Sequence, residues 1–282
     1  MTKKDGVLIL AASALLLVVA LAGRQLSGEV AAVVVPVLCT MLLLAVIFEA
    51  YRRLSHELHE GQQKQAAQQD QDYRQIESLL SLFFTLKPSL PLPNTRDWAA
   101  SPDLLKKIAE TVLSEKPALV MEASSGVSTL VIAYCLKQLG AGKVVSLEHD
   151  AKYAEISRQL IRLHGLEDIA TVLHAPLTAF ENRDQTWLWY DTAGLTIEQP
   201  IDLLVVDGPP ASVQRLARYP ALPVLYRHLN RQSTVILDDG RRADEKKIVA
   251  LWEKEFGHLS SEFLELEKGA FVIHKHDDAV AA

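Results

Sequence analysis

Four short apolar runs in this sequence each end on an acid. They lead into Glu122, into Glu148, into Asp207, and into Asp238 with Asp239 directly behind it. Runs of this length, rich in Val, Ile and Leu and separated by amphipathic helical stretches, read as parallel strands joined by crossover helices. In such sheets ligands bind beyond the carboxyl ends of the strands, so acids at those ends are positioned to meet a ligand. Behind Glu122 comes Ala123-Ser124-Ser125-Gly126-Val127-Ser128-Thr129, a loop of small residues that lets backbone approach a ligand at a helix start. Glu148, with His149 and Asp150 after it, follows that loop by about two dozen residues, the spacing at which a carboxylate accepts the hydroxyls of an adenosine ribose. Each feature also has a plainer use, since Ser and Thr cap helices in any fold. The combination points to a nucleoside-containing cofactor.

Asp207, Asp238 and Asp239 carry a second kind of chemistry. Strands ending in 207 and 238 are neighbours in this architecture, and three converging carboxylates repel one another. A divalent cation such as Mg²⁺, which prefers oxygen ligands, would relieve the repulsion. Asp207, Asp238 and Asp239 are therefore the expected metal ligands, and Asp207 and Asp238 the expected catalytic pair. The competing reading has Asp207 capping backbone after Gly208-Pro209 and Asp239 opening a turn. His149, His174 and His228 are general-base candidates by type alone. Arg241, Arg242, Lys246 and Lys247 read as the solvated face of a helix.

The elements that must position these groups are legible in outline. Strands are expected at 118–122, 143–148, 170–174, 201–207 and 234–238, and helices at 104–113, 129–139, 153–163, 220–230 and 244–256. A terminal hairpin at 262–266 and 270–274 adds an antiparallel edge. The fold class is α/β, a doubly wound, mostly parallel sheet.

The first ninety residues are different in kind. No ionisable residue occurs in 6–23 or in 30–48. As helices these segments reach about 27 Å, close to the hydrocarbon thickness of a bilayer. They read as a transmembrane hairpin filling 1–50, and its partner is the lipid bilayer. Lys3, Lys4, Arg52 and Arg53 flank its outer ends, which puts both ends in the cytoplasm. The alternative is a cleaved signal peptide ending near Ala20-Leu21-Ala22, with 30–48 remaining as an anchor. Residues 51–90 are helix formers rich in Gln and read as a solvated helical stalk; self-association as a coiled coil is the alternative, against which 62–72 lacks apolar a and d residues. Pro88, Pro91 and Pro93 close the stalk, so the domain is expected over 91–276, with 277–282 a disordered tail. A net charge of -6 and the absence of a basic stripe argue against nucleic-acid binding. Cys39 and Cys135 are too few for a disulfide framework or a thiolate zinc site.

The segments 120–129, 145–150, 203–210, 218–223 and 235–242 together resemble class I S-adenosylmethionine-dependent methyltransferases. The likeness is nearest to a bacterial O-methyltransferase-like group with a Glu-x-Gly-Ser-Gly-x-Ser-Thr loop. It covers about two thirds of the chain and implies a Rossmann-like sheet. It also implies that Glu122, Ala123, Ser124, Ser125, Gly126, Ser128 and Thr129 line S-adenosylmethionine, with Glu148 and His149 at its ribose. Trp98, Ser101 and Pro102 would cover the cofactor. Metal-dependent catechol-type members of the family carry acids where Asp207, Asp238 and Asp239 stand. The sequence departs from the pattern at Ser124, where the family has its first motif glycine. The implied function is methyl transfer to an oxygen or nitrogen of a small-molecule, glycan or lipid-linked acceptor at the bacterial inner membrane, with the domain in the cytoplasm. The alternatives are an inactive methyltransferase-like scaffold, favoured by Ser124, and an NAD-dependent oxidoreductase. The oxidoreductase would need Gly-x-Gly-x-x-Gly, of which only Gly126 is present.

Overall fold

The computed structural model describes residues 21, 24, 28–96, 99–182 and 185–276. Its centre is a seven-stranded sheet built from β1 (Leu119–Ala123), β2 (Lys143–Glu148), β3 (Ala170–His174), β6 (Ile201–Val206), β7 (Leu229–Asp238), β8 (Leu259–Leu264) and β9 (Ala270–Lys275), in the order β3-β2-β1-β6-β7-β9-β8. The first five strands in that order run parallel. β9 pairs antiparallel with β7 and with β8, as the terminal hairpin requires. Chain direction across the sheet reverses between β1 and β6, and such switch points are where doubly wound sheets open a ligand crevice.

Both faces of the sheet are covered, which is why its strands read as nearly unbroken apolar runs. Along β6, Leu203 and Val205 face one core and Leu204 and Val206 the other, all four at most 1% exposed. The first core packs α2 (Pro102–Glu115), α3 (Val127–Leu139) and α4 (Ala151–Leu163) through Leu105, Ile108, Leu130 and Ile161. The second core is more aromatic. Trp187, Trp189, Tyr190, Tyr219 and Trp252 pack there, with α6 (Ala243–Glu255) supplying Trp252.

One element lies outside the expected set and another is shorter than expected. Between β3 and β6 no crossover helix forms among the described residues. A separate two-stranded ribbon takes its place, β4 (Leu177–Asn182) paired antiparallel with β5 (Gln185–Tyr190). The expected helix 220–230 shortens to α5 (Ala221–Leu225) and a 3₁₀ turn, Tyr226–His228, after which β7 begins at Leu229 rather than 234. Asn230 explains the early start, because its Nδ2 donates to Asp202 Oδ1 at 2.7 Å and ties the strand to β6.

The N-terminal part is one continuous helix, α1 (Gly28–Leu86), with Pro36 inside it. The expected span 6–23 lies almost wholly outside the described residues, as do Trp98 and the tail 277–282. The chain divides into two compact units, residues 1–70 and residues 71–282. In the first unit the most apolar stretch has a mean hydropathy of 2.9 and none of it is buried. That is long and apolar enough to cross a membrane, by length and composition. The second unit begins twenty residues before the expected boundary at 91. The last turns of α1 belong to it: Leu82 and Leu86 are buried in its core, and Gln75 Nε2 donates to Asp103 Oδ2 at 2.9 Å.

Candidate active site

β1 ends at the small-residue loop, and the backbone there is unusual. Ser124 has φ 131° and Gly126 φ 150°, both in the region that favours glycine. Ser124 N donates to Leu147 O at 3.0 Å, which binds the loop to β2. A side chain added at Gly126 would meet nothing within 4 Å, so open space lies in front of the loop where α3 begins. Glu122, Ser128 and Thr129 do not face that space. Each is at most 4% exposed. Thr129 Oγ1 and Ser146 Oγ donate to Glu122 Oε2 at 2.6 and 2.5 Å, and Ser128 donates to the same carboxylate. Burial pushes the Glu122 carboxyl above the usual carboxylate range, and these hydroxyls work against that shift. Glu122, Ser128 and Thr129 thus form a buried hydrogen-bonded group that braces the loop from behind.

Glu148, by contrast, stands at the loop's open side. Its Oε2 accepts from Ser125 Oγ at 3.1 Å and its Oε1 from Asp150 N at 3.0 Å. Ser125 is in turn held by Ser157 of α4 at 2.8 Å. His149 Nδ1 lies 3.0 Å from Glu148 Oε1 but off the hydrogen-bond line, so the contact is one of distance alone. Ser101 is wholly buried at the start of α2, where its hydroxyl donates to Asp103 Oδ1 at 2.6 Å. It stands at the N-cap position of that helix, although its side chain caps no backbone amide.

Across the switch point, Asp207, Asp238 and Asp239 converge, with one oxygen from each within 4.8 Å of the others. The expected grouping is thus real. It is also already bridged. Arg218, 4% exposed at its side chain, donates from Nη2 to Asp239 Oδ2 at 2.7 Å and to Asp207 Oδ1 at 3.2 Å, and from Nη1 to the Asp238 carbonyl at 2.8 Å. Arg242 Nη1 meets the same Asp239 oxygen at 2.8 Å. Burial raises the Asp207 carboxyl, against the pull of Arg218 and of a hydrogen bond with Asp238. Asp238 is pushed well above the usual range by burial and by the neighbouring Asp207 and Asp239, and its Oδ2 has no partner. The arrangement resembles two carboxyls sharing a proton beside a fixed cation.

Sequence reasoning missed the residue at the centre. Tyr190, the last residue of β5, is 3% exposed and lies at the switch point. A methyl group on Gly208 would overlap its hydroxyl and crowd Ala123 O at 3.3 Å, so glycine there makes room for the ring. Its ring centroid is 6.1 Å from that of His149. The signal for β5 was present in Trp187-Leu188-Trp189-Tyr190, an aromatic run of strand type. Ser146 was also findable, as the one polar residue amid Val144, Val145 and Leu147.

Comparisons with known proteins bear on the fold. Residues 123–240 match a family model described as a methyltransferase domain. A curated relative, an arginine N(omega)-methyltransferase from Streptomyces achromogenes subsp. streptozoticus, is 38% identical over 64 residues, which is 23% of this chain. The match spans only 17% of that relative's length. Among solved structures, an SAH-bound methyltransferase from Podospora anserina aligns over 71% of this chain and 88% of its own, with 16% identity and a TM-score of 0.51. A cofactor-bound protein from MTB aligns over 72% of this chain and 91% of its own, with 18% identity and a TM-score of 0.50. At such identities the solved structures speak for the fold, a Rossmann-like methyltransferase sheet.

Proposed function

We propose that this chain, which carries a class I methyltransferase domain, transfers a methyl group from S-adenosylmethionine to an oxygen or nitrogen of an acceptor at the cytoplasmic face of a membrane. One observation carries the reading. The loop 124–126, open in front of Gly126, stands beside a nearly buried Glu148 held by Ser125, at the carboxyl ends of β1 and β2. A nucleoside cofactor needs such a backbone approach next to a ribose-binding carboxylate.

The donor brings an already activated methyl on a sulfonium centre, so the protein's work is positioning and proton handling. Glu148 would accept from the ribose hydroxyls, with Ser125 and the Asp150 amide fixing its rotamer. Asp207, 13% exposed and raised by burial, is suited to take a proton from an acceptor hydroxyl or amine onto its carboxylate. Asp238, whose carboxyl is pushed well above the usual range by burial and by the neighbouring Asp207 and Asp239, would favour its protonated form beside Asp207. Tyr190 stays protonated, because burial and the nearby Glu148 raise its hydroxyl well above its ordinary value. It would exclude water between the two halves of the site.

Membrane attachment rests on the run 30–48 and on Arg52 and Arg53 after it. A reporter fused after Ala282 that is active only outside the cytoplasm should stay silent, and signal from it would overturn the topology. Calorimetry of the full-length chain with S-adenosylmethionine tests the central reading. Saturable one-to-one binding is expected, and no heat at about millimolar ligand would remove the enzyme reading. Ser124 supports a second reading, an inactive scaffold, since a non-glycine residue holds φ 131° in the loop. Donor binding by the parent chain would remove it.

A further inference from the structure

We propose that the cluster of Asp207, Asp238 and Asp239 is closed by Arg218, whose guanidinium occupies the position a divalent cation would take. The donor set is of the right type for a hard cation, three carboxylates within 4.8 Å. Asp238 Oδ2 is without a partner, but an oxygen of each of the other two carboxylates is already taken by a guanidinium. Asp239 Oδ2 already accepts from two guanidinium groups, Arg218 at 2.7 Å and Arg242 at 2.8 Å. Asp207 Oδ1 accepts from Arg218 Nη2 at 3.2 Å, and that nitrogen also reaches the Asp207 carbonyl at 3.1 Å. The other terminal nitrogen closes on the Asp238 carbonyl at 2.8 Å and approaches Glu245 Oε1 at 3.9 Å. An ion bonded to the Asp207 and Asp239 oxygens at roughly 2.1–2.6 Å would press against a buried positive group. The residues do not fit the metal that their types suggest.

Arg218 is suited to this task in a way that lysine is not. Its planar fork presents several donors in fixed directions, and it keeps its charge in the interior. Here burial disfavours that charge, but Asp207, Asp239, Asp238 and Glu245 together hold the guanidinium protonated. The fork also ties strand ends together, since its partners lie at the ends of β6 and β7 and at the start of α6. A consequence follows that rests on the methyltransferase reading: the acceptor is bound without chelation. It presents a single nucleophilic oxygen or nitrogen to Asp207, and a vicinal diol would gain nothing from its second hydroxyl.

The experiment uses the full-length chain and Mn²⁺ as probe, followed by electron paramagnetic resonance of the free ion, with thermal melts in Mg²⁺ alongside. No saturable Mn²⁺ site is expected below about 1 mM, and about 10 mM Mg²⁺ should leave the melting temperature unchanged. One Mn²⁺ per chain bound below about 0.1 mM, and lost in Asp239→Asn, would overturn the proposal. Arg218→Met provides the converse. With the fork removed only the half-exposed Arg242 still reaches the cluster, at Asp239, and Mg²⁺ should now raise the melting temperature by several degrees. A variant that folds by circular dichroism yet binds no Mn²⁺ would show that Arg218 does not stand in a cation's position. If that variant does not fold, the parent measurement decides alone. None of these readouts involves the methyl donor, so failure here and failure of donor binding are separate results.

Discussion

Replacing Ser124 with glycine should stabilise the protein and sharpen its affinity for the methyl donor. Ser124 holds φ 131°, a conformation that costs a residue with a Cβ on the order of 1–3 kcal/mol. Its backbone bond, N to Leu147 O at 3.0 Å, survives the change. Its hydroxyl has no hydrogen-bond partner among the described residues, so none is lost. Against the relieved strain stands the greater freedom of glycine in the unfolded chain, about 0.5–1 kcal/mol. The net expectation is a gain of about 1 kcal/mol, or a rise of about 2–4 °C in melting temperature for a domain of this size. Circular-dichroism melts of parent and Ser124→Gly read the first effect, and calorimetry with S-adenosylmethionine the second. A fall in melting temperature of more than about 2 °C would refute the strain argument, since the serine side chain would then be making a contact that the geometry does not contain. Donor binding by the variant alone would instead identify the parent as a scaffold.

Three further outcomes follow from particular contacts. Glu148→Gln should weaken donor binding by about 10- to 100-fold with little change in melting temperature, and an unchanged dissociation constant would detach Glu148 from the ribose. Asp238 carries a folded pKa above its unfolded one, so the folded chain retains a proton that the unfolded chain releases, and stability falls as pH rises from about 4 toward the folded value. Asp238→Asn should flatten that decline above about pH 4 in thermal melts, and an unaltered slope would deny Asp238 the role. A fragment starting at Leu90 should melt well below one starting at Gln71, because it lacks Leu82, Leu86 and the Gln75–Asp103 bond. Each lost leucine is worth about 2–5 kcal/mol by analogy with truncation to alanine, and equal melting temperatures would restore the boundary to the proline cluster.

The parallel strands were readable because two-sided burial leaves an apolar run that ends abruptly on an acid, as at Val206–Asp207 and Leu237–Asp238. The terminal hairpin was readable from its turn at Gly269. The ribbon was less so: β5 has an aromatic run, but the burial of both strands is uneven and the two residues between them in sequence, Arg183 and Asp184, offer no glycine. The candidate site divides the same way. Residue types located Glu148 and the three aspartates, because acids beyond strand ends are uncommon in a core. They could not reveal which way a side chain turns. Glu122 and Glu148 close adjacent strands with the same residue type, yet Glu122 faces inward to Ser146 while Glu148 faces the loop. Nor could they reveal that Arg218, more than ten residues from Asp207 in the chain, would arrive among the aspartates. That contact depends on the path of the loop between β6 and α5, which leaves no periodic trace.

The ribbon between β3 and β6 also gives the protein an internal optical signal. Of four tryptophans, Trp187 and Trp189 sit on β5, and Trp252 shares their core with its Nε1 donating to the Tyr219 carbonyl at 2.9 Å. All three are at most 9% exposed, and Trp189 stacks edge-on against Tyr190 at 5.0 Å. Intrinsic fluorescence from this chain therefore originates largely in one corner of the domain, adjoining the switch point. Any ligand that displaces Tyr190 should alter the emission directly, so occupancy of the site can be followed without a label.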